Sequence, residues 1–184
     1  MKNSINISRA LSRMKTNKGR SVEELSAQKP VLLVFLRNFG CTFCRQALSD
    51  IRRDRELIQK NNTQIVLVHL NDEAVTQKYM QRYELMDVER VMDKHMKFYA
   101  DFGLVKGNFK QLFGLQNWIK GFESAVVNGH GISPPIGDGL QMPGVFLIDQ
   151  GQVVNEFIHK SASDRPDYVQ LSVIKKKTSS TPVS

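Results

Sequence analysis

Apolar positions run unbroken from Val31 through Leu36, closed by Arg37, and this Val- and Leu-rich stretch predicts a central strand covered on both faces. A turn at Asn38-Phe39-Gly40 then gives way to a different period. From Cys44 onward, Ala47, Leu48, Ile51, Leu57 and Ile58 recur at three- and four-residue spacing, while Arg45, Arg52, Arg53 and Arg55 take other positions, which predicts an amphipathic helix. Asn61-Asn62-Thr63 reads as a turn, and Ile65–Leu70 as a second buried strand. A right-handed crossover would set these two strands parallel. Asp72–Leu85 has helical spacing at Val75, Tyr79, Met80 and Tyr83, with Asn71 or Asp72 as cap. Val88–Met96 fits neither template. Lys97–Ala100 reads as a short strand, and Leu104–Phe113 as a further helix.

Upstream, Ser21 with Glu24 makes a capping box for a short helix that ends before Pro30. In Met1–Arg20 the apolar residues Ile5, Ile7, Ala10, Leu11 and Met14 are interrupted by polar and basic ones, so the segment reads as a surface helix or flexible lead-in. Downstream, Gly114–Gly144 holds seven of the twelve glycines with Pro134, Pro135 and Pro143, the pattern of a long loop or flap anchored by Trp118, Ile119 and Phe122. Gly144–Asp149 is a strand pattern, Gln150-Gly151 a hairpin turn, and Gln152–His159 the returning antiparallel strand. A last helix is expected over Asp164–Val173, capped by Ser163 or Asp164, with Pro166 in its first turn. The expected organisation is therefore a lead-in over 1–20, one domain over 21–174 and a basic, disordered tail over 175–184.

Composition adds limits rather than identity. The chain has 184 residues, 41% hydrophobic and 24% charged, an ordinary globular balance with no apolar run long enough to span a membrane. Much of the net charge of +8 is terminal: six basic residues and no acidic one lie within Met1–Arg20, and Lys175, Lys176 and Lys177 follow at the other end. No reading element for nucleic acid accompanies them, so neither a nucleic-acid nor a membrane partner is expected. Two cysteines in one motif cannot staple a secreted scaffold, which favours a reducing, cytoplasmic setting. The acid-free N-terminus keeps organellar import as the second reading.

Those cysteines, Cys41 and Cys44, lie at the strand-to-helix junction. The first helical turn carries unpartnered N–H groups and the positive end of the dipole, which favour a thiolate. Two intervening residues also let a disulfide close with little backbone movement. A zinc site would need four ligands; no second cysteine pair exists and His69, His95, His130 and His159 are scattered, so no metal or other cofactor is expected.

The stretch Arg37-Asn38-Phe39-Gly40-Cys41-Thr42-Phe43-Cys44-Arg45, together with Met142-Pro143-Gly144-Val145-Phe146-Leu147-Ile148-Asp149, resembles the thioredoxin fold, and within it the AhpC/TSA-related, peroxiredoxin-like branch. The resemblance covers about 21–173. It implies an α/β thioredoxin-like fold, a central mixed β-sheet flanked by helices with peroxiredoxin-type insertions. It also implies that Pro143 is the family's cis-proline, that the Met142 backbone pairs with an incoming partner, and that Thr42, Phe43 and Arg45 support the cysteines. The peroxiredoxin pattern is incomplete: the proline seven residues before the peroxidatic cysteine and the Thr or Ser three before it are, counted from Cys44, Arg37 and Cys41. Thioredoxin-like usage makes Cys41 the nucleophile, the assignment we favour, and Cys44 the resolving thiol; peroxiredoxin-like usage reverses them.

Three functions fit: a thiol-disulfide oxidoreductase, a thiol peroxidase, or a non-catalytic redox-sensing or partner-binding domain, with an iron-sulfur cluster held between two chains as a variant of the last. The first two take a protein disulfide or a small oxidant as substrate and draw electrons from a thioredoxin- or glutathione-type thiol donor. A homodimer is compatible with either.

Overall fold

The computed structural model describes residues 2–37, 39, 42–104, 141–160 and 164–174, with side chains described from residue 6 onward except that of Thr42. In chain order the elements are α1 (Lys2–Arg13), α2 (Val22–Gln28), β1 (Val31–Phe35), α3 (Thr42–Lys60), β2 (Gln64–His69), α4 (Glu73–Arg82), β3 (Glu89–Met92), α5 (Lys97–Asp101), β4 (Gly144–Asp149), β5 (Gln152–Ile158) and α6 (Tyr168–Leu171). The expected helix over Leu104–Phe113, the Gly-rich segment up to residue 140 and the 175–184 tail lie outside the described residues, apart from Leu104 itself.

One five-stranded sheet runs in the order β3-β2-β1-β4-β5. β1 pairs in parallel with β2, and β2 with β3, as the crossover rule requires, whereas β4 runs antiparallel to both β1 and β5. The period-two alternation of β1 explains its unbroken apolar run. Val31, Leu33 and Phe35 enter the core that contains Leu11 and Met14 of the N-terminal segment, Leu25 of α2 and Tyr99 of α5. Leu32, Val34 and Leu36 enter the opposite core with Leu48, Ile51 and Ile58 of α3, Met80 of α4 and Tyr168 of α6. Each fully buried side chain of this size contributes about 1.5–3 kcal/mol.

The capping box at Ser21 and Glu24 is present, the Glu24 side chain accepting from the Ser21 N–H at 2.6 Å and the Ser21 hydroxyl accepting from the Glu24 N–H at 3.2 Å. The β4–β5 turn places Gln150 at φ 48° and Gly151 at φ 72°, both left-handed, as a tight hairpin whose twist matches its strands requires.

Several expectations are corrected. Of the two readings of the basic N-terminal segment, the helix holds as α1, but one face of it is core rather than surface: Ala10 and Leu11, with Met14 just beyond the last turn, are fully buried, because with Ile7 they repeat at three- and four-residue spacing. Lys97–Ala100 is helical rather than extended, since both carboxylate oxygens of Asp93 accept the N–H groups that open α5: Lys97 at 3.0 Å, Phe98 at 2.7 Å and Tyr99 at 3.3 Å. The undecided stretch before it contains β3, paired with β2 from Val66–Glu89 to His69–Met92. The last helix is a single turn capped by the Asp167 side chain on the Gln170 N–H, with Pro166 ahead of it in non-helical chain. The first strand ends at Phe35, two residues short of Arg37, although the Leu36 N–H still donates to the Val68 carbonyl at 2.8 Å.

Candidate active site at the strand-to-helix junction

β1 delivers the chain to the carboxyl edge of the parallel strands, where open α/β sheets carry their sites, and α3 leaves from that edge. Cys44 occupies the first turn of α3 and is 4% exposed. Its Sγ accepts the backbone N–H of Arg37 at 3.3 Å. A donor on the sulfur and the positive end of a 19-residue helix both stabilise a thiolate there, against the cost of its burial.

Two buried tyrosines interact electrostatically with Cys44. Burial pushes the Tyr99 hydroxyl well above its usual range, with the Cys44 charge adding to the effect and Arg37 opposing it. Burial likewise raises the Tyr168 hydroxyl, assisted by Asp50 and then Cys44. Both hydroxyls therefore stay neutral at physiological pH, and that of Tyr99 donates to the Leu36 carbonyl. Asp50, further along α3, accepts from both Arg53 at 3.0 Å and Arg165 at 2.9 Å, which ties the segment carrying Tyr168 to the cysteine helix.

The turn before the cysteines is anchored from β2 and α4. Phe39 is fully buried, its N–H donates to Asn71 Oδ1 at 3.1 Å, and its ring stacks on Tyr79 at 5.1 Å and lies 5.8 Å from the ring of His69. His69 in turn holds Nδ1 3.1 Å from the Asn71 carbonyl, so that nitrogen carries the proton, and burial lowers its pKa to about 4. Asp72 is the N-cap residue of α4 without a side-chain cap bond, leaving Asn71 to serve the cysteine turn instead.

The expected site residues are distributed as follows. Cys41 lies outside the described residues, as does the side chain of Thr42. Phe43 and Arg45 are half-buried on either side of Cys44. Met142 is buried and Pro143 half-buried just ahead of β4, and the Phe35–Gly144 pair brings them to the same end of the sheet as Arg37. Among the described residues no peptide bond is cis, so the Met142–Pro143 bond is trans, contrary to the expectation. The Met142 carbonyl already accepts from Gln141 Nε2 at 3.2 Å, while the Pro143 carbonyl accepts the His159 N–H at 3.4 Å. Tyr99, Phe39, Asn71 and Tyr168 are not site residues in the sequence reading. The asparagine was legible as a polar residue directly after the second parallel strand; the tyrosines resemble core residues because they are core residues.

A model of the AhpC/TSA family matches residues 10–157. The prostamide/prostaglandin F synthase of Danio rerio is 26% identical over 163 residues, covering 85% of this chain and 80% of the relative. Among solved structures, peroxiredoxin Q from Xanthomonas campestris superposes with a TM-score of 0.57 at 12% identity, over 82% of each chain. The peroxidoxin BcpB of Mycobacterium tuberculosis gives 0.55 at 15% identity, over 79% of each chain. These likenesses establish a thioredoxin fold of peroxiredoxin type.

Proposed function

The chain belongs to the AhpC/TSA family, and from that premise we propose that it is a thiol peroxidase in which Cys44 attacks the peroxide and Cys41 resolves the product. The observation that carries this reading is the Arg37 N–H on the Cys44 sulfur in the first turn of α3. This reading takes Cys44 as the nucleophile in place of Cys41, the assignment favoured from sequence. A cysteine 4% exposed admits a small peroxide more readily than a folded protein carrying a disulfide.

In the proposed cycle the Cys44 thiolate attacks the distal oxygen of ROOH and displaces the alkoxide. The S–O bond forms, the O–O bond breaks, and the leaving alkoxide takes a proton to depart as ROH, leaving Cys44 as sulfenic acid. The Cys41 thiol then condenses with it, releasing water and forming the disulfide. A thioredoxin- or glutathione-type dithiol or thiol pair supplies two electrons and two protons to restore both thiols and departs as its own disulfide. Thr42, Phe43 and Arg45 line the two sulfurs in sequence, and Met142 and Pro143 face the reducing partner in this reading.

The test is stopped-flow peroxide consumption with sulfenic-acid trapping and mass spectrometry on the wild type, Cys41→Ser and Cys44→Ser. Consumption lost in Cys44→Ser, with a trapped sulfenic acid at Cys44 in Cys41→Ser, is expected. The reverse pattern would make Cys41 the nucleophile, and exchange with a small disulfide but not with peroxide would make the protein an oxidoreductase. Inertness to both would leave a binding or sensing domain.

A further inference from the structure

We propose that Tyr99 is a positioning residue for the Cys44 sulfur, acting through the peptide group that joins Leu36 to Arg37. The inference rests on Cys44 as the reacting thiol. The Tyr99 hydroxyl donates to the Leu36 carbonyl, and the N–H of that same peptide unit, belonging to Arg37, donates to Cys44 Sγ at 3.3 Å. Hydroxyl, carbonyl, amide and sulfur thus form one chain of hydrogen bonds. A carbonyl that accepts a hydrogen bond polarises its peptide group and strengthens the donor at the other end. A stronger donor favours the anionic form of its acceptor, here the thiolate.

The geometry holds the hydroxyl where this chain needs it. Tyr99 is fully buried, its ring meets Phe35 edge-on at 4.9 Å, and its backbone N–H is fixed by Asp93. The second contact of the hydroxyl, the Val68 carbonyl at 3.3 Å, already accepts the Leu36 N–H at 2.8 Å, so the Leu36 carbonyl is the group that depends on it. Because burial and then the Cys44 and Asp93 charges hold the phenol proton in place, Tyr99 stays a donor through the range in which a cysteine titrates. Among the described residues the sulfur interacts electrostatically with Tyr99 of α5 and Tyr168 of α6 and is bonded by the Arg37 amide beyond β1; Arg45 is beside it in sequence on α3, and Asp50 further along the helix acts on Tyr168.

Tyr99→Phe removes one oxygen and keeps the ring. The experiment measures alkylation of Cys44 in the reduced full-length chain by iodoacetamide from pH 5 to pH 10, read peptide by peptide by mass spectrometry, with a melting curve for each protein. We expect a native-like melt and a Cys44 pH midpoint raised by about half a unit, which is a roughly threefold lower alkylation rate below the midpoint. In the wild type, the Arg37 amide proton should shift with the Cys44 midpoint in NMR spectra and lose that response in Cys44→Ser. A Tyr99→Phe midpoint equal to the wild type, or an Arg37 amide indifferent to Cys44 ionisation, would overturn the inference; the NMR arm stands even if the variant does not fold. Alkylation requires no peroxide, so a wild type inert to peroxide would defeat the proposed function while leaving this test intact.

Discussion

The Phe39 N–H donates to Asn71 Oδ1 at 3.1 Å, which makes one side chain after β2 responsible for the backbone of the turn that precedes both cysteines. Phe39 is fully buried and Asn71 6% exposed, so neither group has ready recourse to bulk water. Asn71→Ala leaves a buried donor unsatisfied, at about 1–3 kcal/mol. The expected outcome is a loss of stability in that range by urea denaturation, with a peroxide rate about tenfold lower as the turn loses its register. Asn71→Asp keeps an acceptor at the same place and should recover most of the rate. Equal impairment by both substitutions would show that the turn does not depend on this bond.

His69 makes stability depend on pH. Its pKa is lowered by burial from 6.5 to about 4, so between those values the unfolded chain binds the proton and the folded chain does not. The stabilisation is therefore complete above about pH 6.5 and is lost as pH falls toward 4, by about 3 kcal/mol at most for a residue 1% exposed. His159, lowered by burial as well, acts in the same direction. Urea unfolding at intervals from pH 4 to pH 7 should show a rising stability whose slope is shallower in His69→Gln; parallel profiles would count against the assignment.

The α1 helix offers a sharper test of the fold. Leu11 is fully buried against the sheet face that also receives Tyr99 and Phe146, so Leu11→Ala should cost about 2–5 kcal/mol, measurable as a lower urea midpoint with an unchanged slope. Arg9 on the exposed side of the same helix should tolerate alanine within about 0.5 kcal/mol.

That contrast shows where sequence reading succeeds. β1, α3, β2 and the β4–β5 hairpin were legible because their apolar periods are long and bounded by turn residues such as Asn62, whose φ is 56°. The junction carrying Cys44 followed from the change of period alone. A helix was one of the two readings at α1, but the burial of its face was not legible, because basic and serine residues surround a short apolar stripe of Ile7, Ala10 and Leu11, continued by Met14. The hydrogen bonds that build the site around Cys44 were not legible at all. Arg37 acts through its backbone amide, Asn71 reaches a residue 32 positions earlier, and Leu36 accepts from a tyrosine 63 positions later, none of which has a local signature.

Asp93 connects the misread segment to the chemistry. Its carboxylate, 5% exposed, accepts three successive N–H groups and so turns Lys97–Asp101 into a helix, which in turn aims the Tyr99 side chain at the end of β1. Removing it in Asp93→Ala orphans donors at a helix start, a loss of about 1–2 kcal/mol by comparison with other cap deletions. If the helix then frays, the Tyr99 hydroxyl leaves the Leu36 carbonyl, and the Arg37 amide becomes a weaker donor to the Cys44 sulfur. Asp93→Ala should therefore lower the thermal midpoint and also raise the Cys44 alkylation midpoint, whereas Asp93→Asn, which retains one acceptor oxygen, should fall between it and the wild type on both scales. The two readouts must move together across the series. A destabilised Asp93→Ala whose folded fraction alkylates with the wild-type pH profile would separate α5 from the sulfur and confine Asp93 to holding the fold.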